Sequence, residues 1–125
     1  GLIMHNDKIT KLIVSLNKLT VKKMITWMAI DAPENLINGT QDIIQIIFHT
    51  KYNDKDFIIY SRKYRYYFDE HEWSWTEGLV LAIVTPDYKT LWETYEQTQA
   101  LRDLFNSVTK QASGFNDIVE DLLNI

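Results

Sequence analysis

Phe57-Ile58-Ile59-Tyr60-Ser61-Arg62-Lys63-Tyr64-Arg65-Tyr66-Tyr67-Phe68 and, after a short polar interruption, Glu72-Trp73-Ser74-Trp75-Thr76-Glu77-Gly78-Leu79-Val80-Leu81-Ala82-Ile83-Val84 are the runs whose reading decides the fold. Both are rich in β-branched and aromatic residues, which suit a pleated, half-buried surface, and Asp69-Glu70-His71 between them has the polarity of a turn. Two long strands joined so closely must be antiparallel neighbours. The longest unbroken apolar run, Leu79 to Val84, reads as a buried strand and falls far short of the ~20 residues of a membrane-crossing helix.

Which side chains share a face depends on the number of residues in the turn, because a slip of one position sends every side chain to the other side. A loop of two or four residues places Tyr64, Tyr66 and Phe68 with Trp73, Trp75, Leu79, Leu81 and Ile83, and this aromatic ladder is expected beneath helices. The opposite face then carries Ser61, Tyr67, Glu72, Ser74 and Thr76 together with an expected interface of Phe57, Ile59, Lys63, Arg65, Val80, Ala82 and Val84. That interface is apolar at one end and basic in the middle, the pattern of a contact surface.

Outward from the hairpin, Asn53-Asp54 marks a preceding turn and Thr85-Pro86-Asp87-Tyr88 a following one. Strands are expected over about 23–30, 42–51, 57–68, 72–84 and 90–95, with Asp31-Ala32-Pro33 and Gly39-Thr40 in the loop between the first two. Ile9, Leu12, Ile13, Leu16 and Leu19 recur at helical spacing, so a helix over about 7–19 capped by Asp7 precedes the strands. Leu101, Leu104, Phe105, Val108 and Ala112 form a second stripe, and Phe115, Ile118, Val119, Leu122 and Leu123 a third beyond Ser113-Gly114. They predict helices over about 99–112 and 114–124, or one kinked helix. The fold class is therefore α+β: a two-layer domain with a five-stranded, mainly antiparallel meander sheet, and with the N-terminal helix and one or two C-terminal helices on one face.

Composition narrows the function. A chain of 125 residues suits one domain, and 46% apolar with 24% charged residues is ordinary globular usage, which argues against disorder. The absence of cysteine excludes disulfides, thiolate zinc sites and a cysteine nucleophile within these residues and suits a reducing compartment. No basic-then-apolar leader opens the chain, so a cytoplasmic location and no membrane partner are expected. Residues 1–65 hold ten basic and six acidic side chains, residues 66–125 three and eleven. The second half is thus the acidic one.

Specific chemistries find little support. Single-stranded nucleic acid could use Lys63 and Arg65 beside stacking rings, but on the expected register Tyr64 and Tyr66 point the other way, and the pI of about 5.3 opposes phosphate binding. Asp69-Glu70-His71-Glu72 offers metal-ligand types without a metal-ligand spacing, and neither His5 nor His49 is tied to it. His49 reads as a hydrogen-bonded sheet residue. Neither a nucleophile elbow nor a glycine-rich phosphate loop is present, so no catalytic residue, cofactor or metal is expected. The expectation is a non-catalytic protein-binding or regulatory domain, with an acidic partner surface of Asp69, Glu70, Glu72, Glu93 and Glu96 and an open sheet face that could also form a homodimer. The alternatives are a small-molecule-binding domain or enzyme with a pocket between sheet and helices, and single-stranded nucleic-acid binding through the Lys63/Arg65 strand.

Overall fold

The computed structural model describes residues 2–37 and 41–124, with side chains from residue 8 onward. Helix α1 (Leu2–Val21) leads into β1 (Met28–Asp31), a short α2 (Glu34–Ile37), β2 (Ile46–Tyr52), β3 (Lys55–Tyr67), β4 (Trp73–Val84), β5 (Thr90–Thr94), α3 (Gln99–Ser113) and α4 (Phe115–Leu123). The strands form one antiparallel sheet in the order β1-β2-β3-β4-β5, the α+β meander that the alternation and turn chemistry predict. Among the described residues no helix is long and apolar enough to cross a membrane.

Helix α1 begins well before residue 7, so Asp7 lies inside it and is not its cap. The helix ends where Lys23 enters the left-handed region at φ 60°. There the Met24 amide donates to the Leu19 carbonyl and the Lys23 amide to that of Thr20, closing the last turn. Helix α3 starts at Thr98, whose hydroxyl accepts from the Leu101 amide, and stops at Gly114, whose φ of 67° suits a residue without Cβ. The C-terminal segment is therefore two helices. Ile13 and Leu16 of α1 and Leu101, Leu104 and Val108 of α3 pack with Phe57, Ile59, Leu81, Ile25 and Trp27 in the main core.

The chain between α1 and β1 is held by a polar clasp. The Gln111 carboxamide accepts from the Trp27 amide at 2.8 Å and donates to the carbonyls of Thr20 (3.1 Å) and Ile25 (2.9 Å). The Trp27 indole donates to the Thr20 hydroxyl at 2.9 Å, and that hydroxyl donates to the Leu16 carbonyl at 2.7 Å. Because this segment packs inward, β1 starts at Met28 and not near residue 23.

Two hairpins set the sheet's register. Asn53 and Asp54 adopt φ 51° and 61° between the paired Tyr52 and Lys55, the two-residue turn whose twist matches antiparallel strands. At the other end of β3 the Phe68 amide donates to the Glu72 carbonyl at 3.2 Å, leaving three residues at the tip, an odd number. Tyr67 consequently pairs with Trp73, Arg65 with Trp75, Lys63 with Glu77, Ile59 with Leu81 and Phe57 with Ile83. The even-loop expectation is corrected: β4 presents Leu81 and Ile83 to the helices as expected, but β3 is turned over, so Tyr64 and Tyr66 leave the helix-side face and Phe57 and Ile59 join it.

The opposite sheet face is covered as well. Ile47, Ile58, Tyr60, Val80, Ala82 and Val84 form a second core under Ala32, Leu36 and Ile44 of the β1–β2 connection and Tyr88 of the β4–β5 turn. The Asn35 side chain donates to the Asp87 carbonyl at 2.6 Å and ties the two covering segments together. Ile44 thus serves as cover and Ile43 only bridges to Lys63, so β2 begins at Ile46; Gly39 and Thr40 lie outside the described residues.

Gln111→Leu keeps the side-chain volume but leaves the Trp27 amide and two carbonyls without their partner. It is expected to lower unfolding free energy by about 2 kcal/mol in denaturant titration. A loss below about 0.5 kcal/mol would mean that the clasp does not hold this segment.

Candidate functional site: the distal aromatic hairpin

Strands β3 and β4 run to 13 and 12 residues, whereas β2 and β5 have only seven and five. β2 pairs with β3 as far as Tyr60, with one more bridge from Ile43 to Lys63, and β5 pairs with β4 only as far as Leu81. The rest of the hairpin projects as a two-stranded ribbon. A ribbon this narrow is marginal alone, so its side chains must brace it.

They do so through an aromatic ladder on the helix-side face. The Arg65 guanidinium lies 4.4 Å from the Trp73 ring centre and 5.5 Å from that of Trp75, the two indoles meet edge to face at 5.3 Å, and Tyr67 stands 6.5 Å from Trp73. Cation–π and edge-to-face contacts of this kind contribute about 0.5–1.5 kcal/mol each. Tyr67, Trp73 and Trp75 nevertheless remain 53%, 38% and 44% exposed, and Tyr66 and Phe68 are exposed beside them. Lys63 pairs with Glu77 at 3.6 Å on the same face, a solvated ion pair of small net value.

On the reverse face Arg62 lies 5.3 Å from the Tyr64 ring and 5.5 Å from that of Tyr95, with Asp42 at 3.6 Å. Gly78 lies opposite Arg62 and beside the Tyr64 ring, which a Cβ there would meet at 3.4 Å, an ordinary contact distance. Buried Tyr60 completes this face. Burial, reinforced by Glu93, pushes its phenol up to about 12.

The expected site residues are dispersed over the fold. Phe57 and Ile59 are buried beneath the helices, and Val80, Ala82 and Val84 are buried on the other side of the sheet, so the expected single interface does not exist as a surface. Lys63 and Arg65 stay on the ribbon, but on the face that also bears Trp73 and Trp75. Asp69, Glu70 and Glu72 are exposed at the ribbon's tip; Glu93 on β5 and Glu96 beyond it are exposed farther back. The tryptophans, expected in the core, are the functional candidates that the sequence reading missed. The available signal was length, since the strands expected over 57–68 and 72–84 already outreach those expected over 42–51 and 90–95.

Other chemistry is sparse. His49 bonds Asp56 at 2.9 Å and meets Tyr88 edge to face at 5.9 Å, a sheet residue with its polar atom engaged. Among the described residues no group of three or more His, Cys, Asp and Glu could hold a metal ion. Open grooves of about 310 and 510 Å³ flank the ribbon's root near Ser61, Glu77 and Phe105.

The Tyr60 phenol ionises near 10.0 in the unfolded chain and near 12 in the fold, so its contribution to stability is complete below pH 10 and is lost as pH rises toward 12. Denaturant titrations across that window are expected to show the wild type losing up to about 2 kcal/mol relative to Tyr60→Phe. Parallel curves would contradict this. No protein-family model, curated protein or solved structure matches the chain.

Proposed function

We propose that this domain is a non-catalytic protein-binding module that captures a basic partner on its distal β3–β4 hairpin. The observation that carries the reading is the projection of Tyr67, Trp73 and Trp75 from the body of the domain, half-exposed and braced, next to the carboxylates of Asp69, Glu70 and Glu72. Clustered aromatics that already have a fixed geometry lose little entropy on binding and are favoured as energetic anchors. The neighbouring carboxylates, with Glu93 and Glu96 behind them, supply the field that steers a cationic partner. A cytoplasmic setting accords with the cysteine-free chain. Homodimerisation through Ile59 or Val80 is not carried forward, because both are buried.

Single-stranded nucleic acid is the second reading. It gains support from the register, which brings Lys63 and Arg65 to the same face as the two indoles. It ranks lower because Lys63 is paired with Glu77, Arg65 is covered by rings, and the unpaired charges at the tip are negative.

Intrinsic fluorescence titrations with an arginine-rich peptide and with oligothymidylate separate the two. The first reading expects peptide binding that weakens with salt, falls tenfold or more in Trp75→Ala, and falls again when Asp69, Glu70 and Glu72 are changed to their amides. Oligothymidylate binding that strengthens in the amide variant would replace it with the second.

A further inference from the structure

We infer that the partner binds as an added β-strand along the β4 edge of the ribbon, from Glu77 to Trp73, and that it is an extended segment with arginine or lysine at alternate positions. This inference rests on the reading of the hairpin as a protein-binding site and specifies how the site is used.

The next place in the sheet beyond the end of β5 is held by a side chain. The Leu79 amide donates to Gln97 Oε1 at 2.9 Å, and Gln97 Nε2 donates to the Leu79 carbonyl at 3.0 Å. A carboxamide thus stands in for one residue of a neighbouring strand, and the backbone of Leu79 points away from β3. Alternation along an antiparallel ladder then directs the amides and carbonyls of Glu77, Trp75 and Trp73 the same way. Lys63 fixes the phase from the other side: opposite Glu77, it exchanges backbone hydrogen bonds with Ile43, so its amide and carbonyl are turned away from β4 and those of Glu77 away from β3. These three alternate residues, Glu77, Trp75 and Trp73, therefore turn a backbone donor and acceptor outward along the edge.

Edges of this kind are normally blunted by proline, lysine or a bulge. This one carries none of them: the irregularity in β4 lies at Ile83 and Val84, under β5. Glu72 and Glu77 flank it, and Glu93 and Glu96 lie on the same side of the sheet order, beyond β4. Charge complementarity to the exposed carboxylates of Asp69, Glu70 and Glu72 at the tip selects a basic strand, whose alternate side chains would lie beside the exposed indoles of Trp73 and Trp75, already stacked on Arg65, and next to Glu77, whose ion pair with Lys63 is solvated and exchangeable. A second copy pairing through the same edge would bring two carboxylate-bearing strands together, which disfavours it.

The test uses an (Arg-Val)4 peptide, an (Glu-Val)4 control, and amide hydrogen exchange read by NMR. At saturation the arginine peptide is expected to slow exchange at Trp73, Trp75 and Glu77 at least tenfold, while Ser74 and Thr76, already bonded to β3, change little. Trp75→Pro, which deletes an outward amide that the fold does not use, should bind at least tenfold more weakly than Trp75→Ala. Of two (Arg-Val)4 peptides, one N-methylated at every arginine and the other at every valine, the one whose β4-facing amides are blocked should lose a similar factor against the unaltered protein. Binding that is abolished by Trp75→Ala but brings no alternating protection, and is indifferent to N-methylation, would overturn strand addition and leave the binding surface standing. Failure of (Arg-Val)4 to bind, or equal binding of (Glu-Val)4, would overturn both.

Discussion

The odd count of residues at the tip of the β3–β4 hairpin is the constraint on which the rest of the structure depends. With three residues between Phe68 and Glu72, residues of like parity face one another across the two longest strands. One more or one fewer would turn β3 over relative to β4. The observed parity puts Phe57 and Ile59 with Leu81 under the helices and gives Tyr60 and Ile58 to the second core with Val80 and Ala82. The same parity, followed outward, brings Arg65 across from Trp75 and diagonal to Trp73. Core and candidate site are two ends of one register.

The two ends are stabilised differently. At the inner end both sheet faces are covered, one by α1 and α3 and the other by the β1–β2 connection and Tyr88, so burial of apolar area dominates. At the outer end neither face has cover, and stability comes from side-chain pairs on each face: Arg65 against Trp73 and Trp75, Arg62 against Tyr64 and Tyr95. Each arginine shields rings that would otherwise be more fully wetted. The ribbon is thereby held in one geometry while its aromatic edges stay accessible, the combination that a binding surface needs.

Much of the architecture was legible in the chain. Helical stripes such as Leu101, Leu104 and Val108 have a period that nothing else satisfies, Asn53-Asp54 is a turn pair that tolerates positive φ, and Gly114 marks the break between the last two helices. The register was not legible, for a physical reason: Phe57 to Tyr60 and Leu79 to Val84 are apolar at nearly every position, because that end of the sheet is buried on both sides, and an unbroken apolar run carries no parity. The candidate site inherited the error. Lys63 and Arg65 stand out by their chemistry, but which rings accompany them depends on the turn, and Asp69, Glu70 and His71 contain neither a glycine nor a proline that would fix its length in advance. The covering role of Ala32, Leu36 and Ile44 was equally invisible, since a connection shows its packing only once the surface beneath it is known.

Through-space NMR contacts between α-protons test the register most directly, because facing residues that do not exchange backbone hydrogen bonds bring these protons close together. The account predicts strong cross-strand contacts between Lys63 and Glu77, between Arg65 and Trp75, and between Tyr67 and Trp73. Contacts from Arg65 to Ser74 or Thr76 in their place would contradict it, and would return Trp73 and Trp75 to the same side as Tyr64 and Tyr66.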